Sequence, residues 1–286
     1  MNVPGRDVSQ RAMWPNGRTS AACFTFDLDG EEVWIADMQA DERPGVLSQG
    51  TYGPKVALPL ILDILRRHEV AATFFVPGRV AERHPGAVPA ILAEGHEIGH
   101  HGYTHRPPAE LSAAEEEEEL ALGRRALERF GAQLRGYRAP SWDTSERTSG
   151  LLVQHGFSYA SNLMDDIRPY QHPGTSLIEL PVHWLLDDAA HFSFSLASWD
   201  KTIRSAAEVR PLWAEEAAGI AALGGIAVWT FHPQVIGRPS RLGLLDELIG
   251  ATAADSSVWV ARADEIASAA ALHQAGPDRD RSGRSS

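Results

Sequence analysis

The chain has 286 residues, 43% hydrophobic and 22% charged, an ordinary globular balance with room for one large α/β domain or two small ones. A formal net charge of -12, with no basic patch carrying interleaved aromatics, argues against nucleic-acid binding. The single cysteine, Cys23, excludes an internal disulfide, and no apolar run approaches the length needed to cross a membrane.

The opening MNVPGRDVSQRAMWPNG lacks the apolar core of a signal peptide, which leads us to expect a cytoplasmic protein. Residues 1–18 read as an N-terminal arm and 274–286, QAGPDRDRSGRSS, as a disordered tail. Between them, over 19–273, apolar β-rich runs alternate with amphipathic stretches. The runs are 21–29, 70–76, 96–101, 135–142, 157–162, 177–186 and 225–232, and helical patterns cover 56–68, 80–95 and 112–130. About seven parallel βα units in this length predict one α/β domain, a (β/α) barrel of TIM-barrel type.

The first run ends FTFDLDGE. Residues i and i+2 of a strand share a face, so Asp27 and Asp29 point into one pocket, where they need a cation or a shared proton; a solvated strand end is the alternative. Residues 95–105, GHEIGHHGYTH, contain two overlapping zinc spacings. His96-Glu97-x-x-His100 spells HExxH, which works only on a continuous helix. Gly95, Gly99 and Gly102 each weaken a helix there, and the stretch follows a helical pattern that stops at Glu94. As a strand it holds His96 and His100 about 13 Å apart, too far to share an ion. His101 and His105 instead sit at a strand exit, where one turn brings i and i+4 imidazoles together; alone, they read more readily as a hydrogen-bonded loop pair. The five glutamates at 115–119 begin with a capping box, Ser112-x-x-Glu115, and read as a structural, solvated helix face rather than a cation site.

Arg138, in GYRAPSW, leaves another strand toward the same rim and suits pairing with an acid, surface pairing being the alternative. His232, in VWTFHPQ, closes a further apolar strand; a lone histidine is more often structural, but here several strand exits deliver acid–base or ligating groups to one mouth.

These motifs in order, TFDLDG, HGYTH, RAPSW and TFH, resemble those of the polysaccharide deacetylase family, the NodB-homology domain of carbohydrate esterase family four. EIGHHGYTH and HPQVIGRPSR look most like the subgroup with peptidoglycan-deacetylase-like, allantoinase-like and cyclic imide hydrolases. The resemblance implies a distorted (β/α) barrel and a metal-dependent hydrolase of non-peptide carbon–nitrogen bonds. It implies that Asp29, His101 and His105 hold a divalent metal, commonly zinc. Asp27 would be the base, Arg138 its orienting partner and His232 the acid, with metal-activated water attacking an amide, imide or N-acetyl carbonyl.

Leu28 splits the aspartates that the family has adjacent, so base and ligand could exchange between Asp27 and Asp29. Thr230 stands at the family's late leucine. The usual D-x-D-W block is not evident, though Trp184 and Asp187-Asp188 could supply a similar wall and acid. Glu31, Trp142, Trp184 and Thr230 are the expected substrate-side residues. Small amides, ureides or cyclic imides are the expected substrates, and a homo-oligomer, a tetramer by resemblance, the expected assembly. Two further readings stay open: a catalytically silent binding protein on this scaffold, and a metal-free, allantoinase-like hydrolase.

Overall fold

The structure, a computed structural model, describes residues 14–39, 41–193 and 203–274. The expected tail beyond 274 and residues 1–13 of the expected arm lie outside that range. Residues 14–18 lie against the domain: Trp14 is buried, packs on Trp259 and donates its Nε1 hydrogen to the Gly224 carbonyl.

Among the described residues, nine strands form one strongly curled, mostly parallel sheet, a half-barrel. They are β1 (Ser20–Asp27), β2 (Thr73–Val76), β3 (Glu97–His100), β4 (Gly136–Tyr137), β5 (Tyr159–Ala160), β6 (Tyr170–Gln171), β7 (Ile178–Glu179), β8 (Ile226–Phe231) and β9 (Val258–Val260). Their order is β6-β7-β5-β4-β3-β2-β1-β8, with β9 also on β1 and only β6 antiparallel among the described pairings. β4 through β7 are two-residue strands, too short for alternation to be read, and β6 and β9 fall outside the seven expected runs.

β1 shows why the middle of the sheet reads as nearly continuous apolar sequence. All eight of its residues are buried, because both faces are covered. Ala22, Phe24 and Phe26 turn outward into the cluster shared with the helices. Ala21 and Cys23 turn inward to meet Phe75, Tyr159, Ile178 and Val228. The same alternation carries Thr25 and Asp27 to the inner face, one step nearer the mouth.

Helices follow the expected patterns with two differences. The 56–68 pattern forms Leu58–Arg67, entered through a π-turn at Gly53–Ala57. The 80–95 pattern splits into Gly78–Arg83 and Ala87–Ala93, since Pro85 has no N–H with which to continue the first. Ser112 caps Ala113–Glu128 with the reciprocal Ser112–Glu115 bonds of a capping box. No helix among the described residues is long and apolar enough to cross a membrane.

At the far end of the sheet the helix Ala263–Gln274 is capped by side chains from two strands. Thr73 Oγ1 accepts the Ala263 N–H at 2.9 Å and Glu97 Oε2 the Asp264 N–H at 3.1 Å. Glu97 also accepts the Thr73 and Tyr159 hydroxyls. Burial, helped by Asp264, pushes its carboxyl up to about 7 against those hydrogen bonds. A carboxyl raised on folding favours the native state below its unfolded value, and that contribution is lost as pH rises through about 7. Melting curves from pH 4.5 to 8 should therefore show a decline that Glu97→Gln flattens, by on the order of 1–3 kcal/mol. Equal slopes in the two proteins would contradict this.

Candidate active site

Four strand ends, those of β1, β3, β4 and β8, meet at the mouth. β3 ends at His100, and the chain leaves it through His101-Gly102 with Gly102 in the left-handed region (φ 73°) that glycine adopts without cost. His105 takes a positive φ of 62° as well, an uncommon conformation for a side chain of its size. That kink turns its imidazole back toward His101, and the ring centroids are 5.1 Å apart.

Asp29 stands between them. Its Oδ1 lies 3.4 Å from His101 Nε2 and 3.6 Å from His105 Nε2. His101 Nδ1 donates to the Arg138 carbonyl at 2.8 Å, which fixes the tautomer and leaves Nε2 with its lone pair facing Asp29. Asp29 Oδ1 itself is buried with no hydrogen-bond donor. An orphaned carboxylate oxygen between two buried imidazoles is costly unless something else fills the gap. Burial alone would raise Asp29, but His105, His101 and His232 hold its carboxyl well below the usual range. Burial brings His105 down to about 4, against the pull of Asp29. An ionised carboxylate and neutral imidazoles are the ligand states a divalent metal needs, so these three residues fit one.

Asp27 faces the same space from the inner face of β1. Its Oδ1 accepts from Arg138 at 2.7 Å, and its Oδ2 lies 3.9 Å from His101 Nε2. Arg138 is fully buried: it also donates to Thr25 Oγ1 and to the Ser161 hydroxyl and carbonyl, and stacks over Phe75 at 4.3 Å. His232, just past β8, places Nε2 3.8 Å from Asp29 Oδ2, while its Nδ1 is 2.6 Å from Asp188 Oδ1. Burial pulls His232 down, yet Asp187 and Asp188 carry it well above the ordinary histidine value. Burial pushes Asp187 up to about 7.

The other expected residues divide. Trp142, buried, packs on the half-exposed Trp184 at 4.4 Å between centroids, and Ser141 and Trp142 both take positive φ to present that face. Thr230 is buried on the inner face beside Thr25, its hydroxyl without a partner. Glu31 is held by the Thr51 hydroxyl and His84 at 2.7 and 2.8 Å, with its carboxyl below the usual range because these bonds outweigh burial. His96 and His100 are not brought together. His96 Nδ1 accepts the Ala72 N–H, and His100 Nε2 donates to the Leu120 carbonyl.

A polysaccharide deacetylase family model matches residues 51–160, which include His101, His105 and Arg138. A Mycobacterium smegmatis structure assigned to the polysaccharide deacetylases superposes with a TM-score of 0.88 at 40% identity, over 91% of this chain and 93% of that one. The chain belongs to the polysaccharide deacetylase family. It is accordingly a hydrolase acting on carbon–nitrogen bonds. The peptidoglycan deacetylase of Helicobacter pylori is 28% identical over 79% of this chain and 87% of its own length. PuuE allantoinase shares the fold, with a TM-score of 0.79 at 22% identity over 97% of this chain and 99% of that one.

Two polar residues at this site carried no signal in the sequence. Gln234 donates to Asp29 Oδ2 at 3.3 Å, leaving Oδ1 for the imidazoles. Asn162 accepts the Ala139 N–H beside Arg138. Neither belongs to a recurring spacing; the HPQ and SYASN contexts alone do not point to them.

Replacing Arg138 by methionine leaves Asp27 buried without its counter-charge, which should cost about 3–5 kcal/mol. Adding Asp27→Asn should restore part of that loss in urea denaturation. A double variant as unstable as the sum of the singles would show that the pair is not coupled.

Proposed function

We propose that the protein is a zinc-dependent hydrolase of a small, polar carbon–nitrogen substrate, an amide, ureide or cyclic imide, rather than of an N-acetylated glycan. The observation that carries the reaction half is the buried Asp29–His101–His105 cluster flanked by Asp27 and His232. When bound, the metal would supply activation of a water and polarisation of the scissile carbonyl.

The chain's own groups do the rest. Asp27, with one oxygen held by Arg138, keeps its second oxygen turned toward the cluster to accept the proton of the attacking water. Arg138 fixes that orientation. His232, steered by Asp188 through Nδ1, presents Nε2 on the other side of Asp29 to protonate the departing nitrogen. In this division Asp29 is the ligand and Asp27 the base. Arg138 occupies an Asp27 oxygen, whereas the free oxygen of Asp29 lies between the two imidazoles.

The substrate half is supported by Thr230. Its unpartnered hydroxyl stands where the resemblance puts a leucine, and a buried hydroxyl is better satisfied by a polar substrate than by an acetyl methyl. The Trp142–Trp184 face would cover a flat ring or amide plane.

His101→Ala should lose the metal, while His96→Ala and Asp27→Asn keep one equivalent by elemental analysis. Asp27→Asn and His232→Ala should each lower kcat by about 10²–10⁴-fold. Loss of metal from Asp27→Asn would exchange the two aspartates' roles. Cyclic imides, ureides and N-acetylglucosamine oligomers assayed side by side test the substrate. Turnover of the glycans alone would overturn that half, and full activity after chelation would overturn the metal.

A further inference from the structure

The five glutamates at 115–119 are not one solvated face. Glu117 projects into solvent, its side chain 63% exposed, but Glu116 is buried and accepts from Thr148, Ser145 and Arg147. Glu119 does something different. It reaches from the helix Ala113–Glu128 to the loop after β3, where Oε2 accepts the Tyr103 and Thr104 N–H groups, each at 2.8 Å, and Oε1 the Thr104 hydroxyl at 2.5 Å.

Those two residues lie within the 101–105 turn. The carbonyls of the same turn are taken from the other side: the Gly78 N–H donates to Gly102 O at 3.1 Å and the Arg79 N–H to Tyr103 O at 3.0 Å. His105 follows immediately, in its uncommon positive-φ conformation. Such a conformation persists where the surroundings over-determine it. Helix Gly78–Arg83 supplies the donors and Glu119 the matching acceptor, so the peptide groups of Tyr103 are fixed at both ends. Charge-assisted bonds from a carboxylate to backbone N–H are the stronger kind.

We propose that Glu119 is a positioning residue for the metal-ligand turn: its carboxylate clamps Tyr103 and Thr104 in the one conformation that brings His101 and His105 to a shared ion. The proposal rests on the reading of Asp29, His101 and His105 as metal ligands. Glu119 is not one of those ligands and acts on them through the turn.

The test is zinc affinity of the apoprotein by competition with a chelating dye, alongside the melting temperature of each apo variant. Glu119→Ala should weaken zinc binding about 10-fold or more, the range seen when groups supporting metal ligands are removed. Glu119→Gln should stay within about 3-fold, because its amide oxygen can accept both N–H groups and its amide nitrogen can donate to the Thr104 hydroxyl. Glu117→Ala, on the exposed side of the same helix, should match the wild type.

If Glu119→Ala does not fold, Glu119→Asp keeps the charge but withdraws it by one methylene, and should still weaken zinc several-fold. Wild-type affinity in Glu119→Ala or Glu119→Asp overturns the proposal, as does a Gln variant as weak as the Ala variant. The underlying reading fails separately: a wild type that takes up no zinc, or an Asp29→Ala that binds it normally, removes the ligand set and the clamp with it. Zinc bound by the wild type, lost in Asp29→Ala and unchanged in Glu119→Ala removes the clamp alone.

Discussion

Arg138 lies at 0% exposure in the upper part of the sheet, where a guanidinium can neither shed its charge nor reach water. Its surroundings follow from that constraint. Thr25 and Asp27 on β1, Ser161 beyond β5 and the Phe75 ring on β2 are drawn around it, so one side chain ties together strands that are far apart in sequence. Its main-chain carbonyl then accepts from His101 Nδ1, which couples the same residue to the ligand loop. A buried charge that must be satisfied on every side is an effective way to hold a mouth of short strands in register.

Around that anchor the acids and histidines sort themselves by contact. Asp27 is matched to Arg138, Asp29 to His101 and His105, and Asp188 to His232. Each carboxylate thus has its own cation or imidazole, and the central oxygen of Asp29 is left without a donor. Six histidine–acid contacts within one pocket are a poor way to stabilise a fold, given what desolvated charges cost. They are a reasonable way to hold a divalent ion beside a base and an acid.

Much of this was legible in the residues, for physical reasons that differ from element to element. β1, β3 and β8 carry enough apolar residues for their exits to be placed, and those exits hold Asp27, Asp29, His101 and His232. The glycines of GHEIGHHG disqualified the HExxH helix: Gly95 and Gly102 both lie in the left-handed region, and a strand occupies the space between. β6 and β9, with two and three residues, give no periodicity to read. The glutamate run misled in part, because a charge run at helical spacing looks solvated until the loop that needs it is in place. Glu116 found a buried donor in Thr148 and Glu119 partly buried ones in the turn after β3, and Gln234 met Asp29 from 205 positions away. No local pattern encodes such contacts.

The central claim is that one ion sits among Asp29, His101 and His105. Anomalous diffraction at the zinc edge from crystals grown with zinc tests it most directly. The account predicts one strong peak about 2.0–2.2 Å from a carboxylate oxygen of Asp29 and an imidazole nitrogen of each histidine. A peak instead among Asp187, Asp188 and His232, the other cluster with ligand spacing among the described residues, would contradict it, as would no peak at saturating zinc.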